Sequence, residues 1–295
     1  RQRQMCIRDR LYGSVTCTPV SVMWYNKEMF KKQGVEVPAT WDDFKAVCKK
    51  FIDAGIKPIG TSVKDTWVLA MLHDGLALKS AGADKVTKAL TKQGQSYNDP
   101  DFVKAANCIK ELVDMGAFID GATGLSNDEA SASFYAEQVP MYFTGSWMGG
   151  SIVTDAEKPD NFAVAPIPVV NSKNASVTDF MGGGSDTLMV SANTKNKDLA
   201  AAAAFEITRG VSKHAYLSGA GIPAWTVDYD ASSVPALTQQ VADIAGKATS
   251  YTLWFDTLMS SDDAGEYLTL LQSLFAGDLK PEEFAASMDK QLSKK

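Results

Sequence analysis

Five short apolar runs, at 20–25, 58–61, 139–144, 162–167 and 187–191, are separated by stretches whose apolar residues recur at helical spacing. This alternation narrows the possible folds more than any other feature. Short strands alternating with helices of about 10–15 residues build an α/β architecture. Several helix limits are written locally. Thr40 can cap a helix with Asp43 three residues on, and Trp41, Phe44, Val47, Cys48, Phe51 and Ile52 follow along one face. Gly55 stands where a C-terminal cap belongs. Asp99-Pro100 opens a second helix that carries Phe102, Ala106 and Ile109 and stops at Gly116. Ser126 and Glu129 have capping-box spacing ahead of a helix bearing Phe134. Tyr267, Leu268, Leu271, Leu274 and Phe275 form a stripe that ends at Gly277, and a last helix from Pro281 buries Phe284, Met288 and Leu292. The alanine-rich stretch 199–204 reads as a buried helix face.

Composition excludes some functions. At 295 residues the chain can bury a large core, as one large domain or two. Its net charge of -6 argues against a nucleic-acid partner, whose phosphates call for a basic face. No apolar run approaches the roughly 20 residues that cross a bilayer. Cys6, Cys17, Cys48 and Cys108 have no C-x-x-C spacing. Cys48 and Cys108 fall on apolar helix faces, where a free thiol packs as a small hydrophobe; a disulfide between them is the minor alternative. The only histidines, His73 and His214, suggest no metal cluster, and no cofactor is expected. Gly183-Gly184-Ser185-Asp186-Thr187 begins like a nucleophile elbow but has Thr where the second glycine belongs. Asp42-Asp43 and Glu282-Glu283 sit in first helical turns, where the helix dipole favours negative charge, so they make a poor acid/base pair. No catalytic centre emerges.

Four segments then occur in a telling order: Tyr12-Gly13; Trp24-Tyr25-Asn26-Lys27-Glu28-Met29-Phe30; Pro38-Ala39-Thr40-Trp41-Asp42-Asp43-Phe44; and Met141-Tyr142-Phe143-Thr144-Gly145-Ser146-Trp147. The chain closes on Trp254-Phe255-Asp256, a leucine-rich helix and Phe275-Ala276-Gly277-Asp278-Leu279-Lys280-Pro281. Together these resemble the solute-binding proteins of bacterial ABC importers, in the carbohydrate-binding branch that includes maltose-binding protein. The resemblance covers essentially everything after residue 10. It implies a two-lobed periplasmic-binding-protein fold whose first lobe is incomplete here. It also implies a location outside the cytoplasm, free in a periplasm or lipid-anchored.

The expected division is a remnant of the first lobe at 11–19 and 166–221, and a second lobe at 20–165 and 222–295. Hinge strands are expected near 16–21, 165–168 and 221–224. Residues 1–10, RQRQMCIRDR, lack periodicity and resemble translated sequencing-adapter read-through, so they are set aside as non-native. The implied partners are a small-molecule carbohydrate and the transmembrane subunits of an ABC permease, with the protein itself a monomer.

The resemblance also sorts the tryptophans. A sugar ring has apolar C–H faces and a rim of hydroxyls, which suits concave sites lined with aromatics and a few placed polar groups. Trp147 matches the family's G-x-W turn facing the cleft. Trp67, after Asp65, lies where a cleft aromatic is expected, with a core role at a helix start as the alternative. Trp254 and Asp256 match a W-x-D segment, and Gly183 and Gly184 match a glycine-rich approach to the cleft. Trp225 reads as structural, and Trp24 and Trp41 as core. Three rivals stay open: the same fold with a non-sugar polar metabolite, a carbohydrate-processing enzyme, and a sugar-sensing module.

Overall fold

The computed structural model describes residues 5–7 and 10–294. The chain runs β1 (Met5–Ile7), β2 (Arg10–Val15), β3 (Ser21–Asn26), α1 (Lys27–Gln33), α2 (Trp41–Asp53), β4 (Ile59–Gly60) and α3 (Thr66–Ala81). It continues through α4 (Ala83–Leu90), α5 (Pro100–Asp114), α6 (Asn127–Tyr135), β5 (Met141–Gly145), α7 (Met148–Asp155) and β6 (Phe162–Ala165). The last third holds β7 (Asp179–Met181), β8 (Thr187–Leu188), α8 (Lys197–Ser218), α9 (Ala236–Gly246), β9 (Ser250–Thr252), α10 (Phe255–Leu258), α11 (Ser261–Ala276) and α12 (Pro281–Leu292). Of the segment 1–10, residues 1–4, 8 and 9 lie outside the described residues; Met5–Ile7 pairs antiparallel with β2.

The core is organised by a four-stranded sheet in the order β4-β5-β3-β6. The strands β3, β5 and β6 pair antiparallel, while β4 joins β5 in parallel. Side chains alternate across its plane, as the pleat requires. Val22, Trp24, Tyr142 and Val164 enter one apolar cluster, while Met23, Met141 and Phe143 enter the other. Helices cover both faces. One cluster draws on α2, α3, α5, α11 and α12, the other on α6, α7 and α9. The sheet is therefore buried on both sides, as its apolar runs require. At its centre runs α3, apolar nearly all round and buried along almost its whole length.

The expected caps are present. Thr40 Oγ1 accepts the Asp43 N–H at 3.2 Å, Ser126 and Glu129 form a reciprocal capping box, and Pro100 opens α5 behind the Asp99 cap. Each satisfies an otherwise unpaired N–H of the first turn. Trp24 and Trp41 are core, at 0% and 6% exposure. Cys17, Cys48 and Cys108 are buried free thiols, so the 48–108 disulfide does not form.

One expectation fails for a physical reason. The stretch 199–204 is not a buried face: Leu199 is 69% exposed, and only Thr208 and Ser212 of α8 are buried. The inward contacts of α8 are polar instead, with Thr208 bonded to Ser14 at 2.6 Å and Ser212 accepting the Ala224 N–H at 3.1 Å. The stretch that follows β6 stays close to α2 and α3. Val169 exchanges backbone bonds with Ala39 and Trp41, and Lys79 Nζ donates to the Ser176 and Asp179 carbonyls at 2.7 and 2.6 Å, holding this stretch beside α2 and α3. The backbones that lie side by side are those around 17–20, 182–183 and 222–223: Thr18 N–H donates to Ile222 O, and Gly183 N–H to Pro19 O.

Candidate ligand-binding site

Three tryptophans from distant parts of the chain meet around a cavity of about 400 Å³. The ring centres of Trp67 and Trp147 are 6.5 Å apart, and those of Trp147 and Trp254 are 6.3 Å apart. Each ring is set by local chemistry. Trp67 follows the turn 62–65 as the second residue of α3 and is 40% exposed. That turn is fixed by Ser62 Oγ, which accepts the Asp65 N–H at 2.8 Å and donates to Leu125 O at 2.7 Å.

Trp147 leaves the end of β5, folded back over Gly145. A Cβ there would stand 2.0 Å from the ring, so only glycine permits this placement. Ser146 binds the Val20 backbone in both directions, tying the turn to the neighbouring crossing strand. Trp254 is more buried, at 9% exposure, and its Nε1–H donates to Ser21 Oγ at 2.7 Å.

Asp256 and Asp186 line the same cavity and are exposed to solvent. Gly183 and Gly184 lead directly into Ser185 and Asp186 at its edge; Gly183 has φ +125°, a conformation that favours glycine. Asp65 is placed otherwise. It is not part of the lining; its Oδ2 accepts the Asn127 N–H at 2.6 Å, at the first residue of α6. Trp225 Nε1–H donates to Val15 O at 2.8 Å, away from the three rings.

The sequence reading missed a buried polar group beneath the cavity. Asp74, only 3% exposed, lines it together with Tyr267. Tyr267 OH donates to Asp74 Oδ1 at 2.6 Å, and the Phe255 N–H donates to Oδ2 at 3.1 Å. His73 Nδ1 lies 2.8 Å from the Tyr267 oxygen. Burial pushes the Asp74 carboxyl up to about 8 and the His73 imidazole down to about 3, so both are uncharged at neutral pH. Through Phe255 this group holds the turn that presents Trp254 and Asp256. One sequence signal pointed here: His73-Asp74 is a polar pair with apolar runs on both sides of it in α3.

The described lining residues thus offer three indole rings and three carboxyl groups, and no Lys, Arg or His. Such a surface can cover apolar ring faces and accept hydrogen bonds from hydroxyls. It offers an anion no counter-charge. Among the described residues, no group of three or more His, Cys, Asp or Glu is placed to hold a metal ion.

Comparison with known proteins places this geometry in a family. The model of the bacterial extracellular solute-binding protein family matches residues 10–205, and the chain belongs to that family. A solved structure from work on xylan utilisation by Caldanaerobius polysaccharolyticus superposes with a TM-score of 0.91 at 32% identity, over 96% of this chain and 73% of that one. A chitin oligosaccharide binding protein superposes with a TM-score of 0.89 at 23% identity, over 99% of this chain and 73% of that one. The fold is that of the two-lobed solute-binding proteins.

Among curated relatives, the multiple sugar-binding protein of Streptococcus mutans is 22% identical over 198 residues, 64% of this chain and 45% of the relative. A binding protein of Brucella abortus is 28% identical over 193 residues, 64% of this chain and 44% of the relative. The chain spans less than half the length of these two relatives. Among the described residues no helix is long and apolar enough to cross a membrane.

Proposed function

We propose that the protein binds a neutral sugar or oligosaccharide at the tryptophan cavity and delivers it, outside the cytoplasm, to an ABC-type permease. The observation that carries this reading is the convergence of Trp67, Trp147 and Trp254 on one cavity whose polar lining groups include carboxyls but no cation. Each stacked ring contributes about 0.5–1.5 kcal/mol beyond its buried area, and a micromolar complex needs about 8 kcal/mol. Hydrogen bonds from sugar hydroxyls to Asp256, Asp186 and the adjoining backbone supply the remainder and the selectivity. The names of relatives that bind sugars and chitin oligosaccharide support this cargo.

One curated relative, the sn-glycerol-3-phosphate-binding protein of Shigella flexneri, is named for an anionic solute. A phosphate would meet carboxylates here without a lysine or arginine to pair with, so the neutral reading is preferred. An enzyme reading would use Asp74 and Asp256 as an acid/base pair. Both oxygens of Asp74 are already engaged, by Tyr267 and Phe255, so binding without turnover is the better account.

The mechanism is hinge closure. Ligand touches both lobes only when they are closed, and it shifts the population by that difference in contact. We place the hinge at the adjacent crossings 17–20, 182–183 and 222–223, with 166–181 joined to the second lobe. The test is a tryptophan-fluorescence titration against a panel of neutral mono- and oligosaccharides, with product analysis in parallel. A saturable change with one sugar class and no product is expected. A response only to phosphorylated or amino-acid solutes would overturn the cargo, and product formation would overturn the binding-only role.

A further inference from the structure

Lys79 lies at the other end of α3 from Trp67 and is only 2% exposed. Such a position is ordinarily filled by an apolar residue. A buried ammonium is costly unless its donors are met. Here Nζ donates to two backbone carbonyls, Ser176 O at 2.7 Å and Asp179 O at 2.6 Å, and lies 5.4 Å from the centre of the Phe180 ring. Burial pushes its pKa down to about 8, which leaves it mainly charged at neutral pH. Carbonyl acceptors tie the lysine to the path of a chain rather than to another charge.

The same residue holds the start of that stretch. Last-turn carbonyls lack partners within their helix. That of Lys79 accepts the Val170 and Asn171 N–H groups at 3.2 and 2.9 Å, and that of Ser80 accepts Asn174 Nδ2–H at 2.9 Å. Residues 170–179 therefore wrap the end of α3 and leave it at a fixed point, where β7 begins. Asp179 Oδ1 accepts the Ser250 hydroxyl at 2.6 Å, and β7 and β9 run on in parallel, with Met181 beside Thr252. The ladder closes with Gly182 N–H donating to Thr252 O at 2.7 Å. Beyond it the two chains part. One reaches Trp254 and the other Ser185 and Asp186, all on the cavity lining.

We propose that Lys79 is a positioning residue for the tryptophan cavity. By pinning the start of the β7–β9 pair to α3, it sets Trp254, and the point from which the strand to Asp186 departs, relative to Trp67. The inference rests on the sugar-binding reading above. A two-stranded pair is marginal by itself, and this one has three residues in each strand, so the clamp at its start governs where it lies. α3 then acts as a ruler for the site. Its first turn carries Trp67, its middle carries Asp74, which holds the Phe255 N–H, and its last turn carries Lys79.

The test compares Lys79→Met and Ser250→Ala with the wild type. Methionine keeps an apolar stem and removes the ammonium. Ser250→Ala cuts the tie from Asp179 to β9 and leaves Lys79 in place. Calorimetric titration of the full chain with xylotriose, chitotriose and maltotriose gives affinities, and melting curves show that each variant is folded. Indole N–H resonances are read without sugar; that of Trp254, bonded to Ser21, is identified by its loss in Trp254→Phe. Lys79→Met should weaken binding about tenfold and shift the Trp254 resonance, while that of Trp24, bonded to Gly145 O, stays in place. Ser250→Ala should act in the same direction to a smaller degree, and it decides the outcome if Lys79→Met does not fold. A folded variant with wild-type affinity, or with an unmoved Trp254 resonance, would make Lys79 a cap for α3 alone and overturn the proposal. A wild type that binds none of the three sugars would overturn the sugar-binding reading, and the Trp254 resonance would still decide the role of Lys79.

Discussion

Phe102 and Leu199 are both large apolar residues on helices, yet one is fully buried and the other is 69% exposed. They stand for two regions built under different rules. Around the four-stranded sheet, helices on both faces interlock through residues at 0% exposure, and Phe102 stacks on Tyr97 with ring centres 4.2 Å apart. Around β2, β8 and α8, contacts are fewer and more polar; Met189, Leu199, Ile207 and Val211 face outward. The proposed ligand cavity lies where the two regions meet, with its three tryptophans on the well-packed side and Ser185 and Asp186 on the other. On the proposed hinge-closure reading, the packed core holds the rings, and the region it does not hold is the part that closes.

Replacing Phe102 by alanine should break the well-packed side. It creates a cavity in a core that cannot collapse around it, and should cost about 3–5 kcal/mol in urea denaturation. Next in size is the pH dependence carried by Asp74. Its folded value of about 8 lies above its ordinary 3.8, so over this window the folded state holds a proton that the unfolded chain has released. Its contribution therefore falls as pH rises towards 8. His73, held neutral with a value near 3 against an ordinary 6.5, acts oppositely below pH 6.5, where the unfolded state binds the extra proton. The clean window is pH 6.5 to 8. There the wild type should lose about 2 kcal/mol relative to Asp74→Asn, read from denaturation midpoints across the range.

Trp147→Ala sharpens the comparison differently. Sugar affinity should fall about tenfold, while the melting temperature moves by only a few degrees, because the ring is partly exposed. A large loss of stability would instead make Trp147 a packing residue. Smallest of all, Leu199→Ser should change stability by no more than about 0.5 kcal/mol, despite removing a leucine.

The same contrast explains what could be read in advance. Caps at Thr40, Ser126 and Pro100 and the stripes of α2, α5, α11 and α12 are local patterns, and local patterns were legible. The two-stranded pair β7–β9 was not, since each strand has three residues and the partners lie about 70 positions apart. Tyr267 was legible as part of an apolar stripe, but its hydroxyl's role depends on Asp74, 193 residues away. The tryptophans stood out because a large aromatic in a turn is conspicuous. Asp65 shows the opposite hazard: a carboxylate beside a cleft aromatic is suggestive in sequence, and only the fold reveals its bond to Asn127. The α8 alanines misled because small apolar residues carry little area to decide which way a helix faces.

The most direct test of the central claim is paired calorimetry of the full chain with a neutral oligosaccharide and its uronic-acid counterpart of the same length and linkage. The cavity pairs three indole rings with carboxyl groups and no cation among its described lining residues. The neutral sugar should therefore bind at least about tenfold more tightly, with the gap narrowing at high salt as exposed charges are screened. Equal affinity, or tighter binding of the acidic sugar, would contradict the assignment of the tryptophan cavity as a neutral-sugar site.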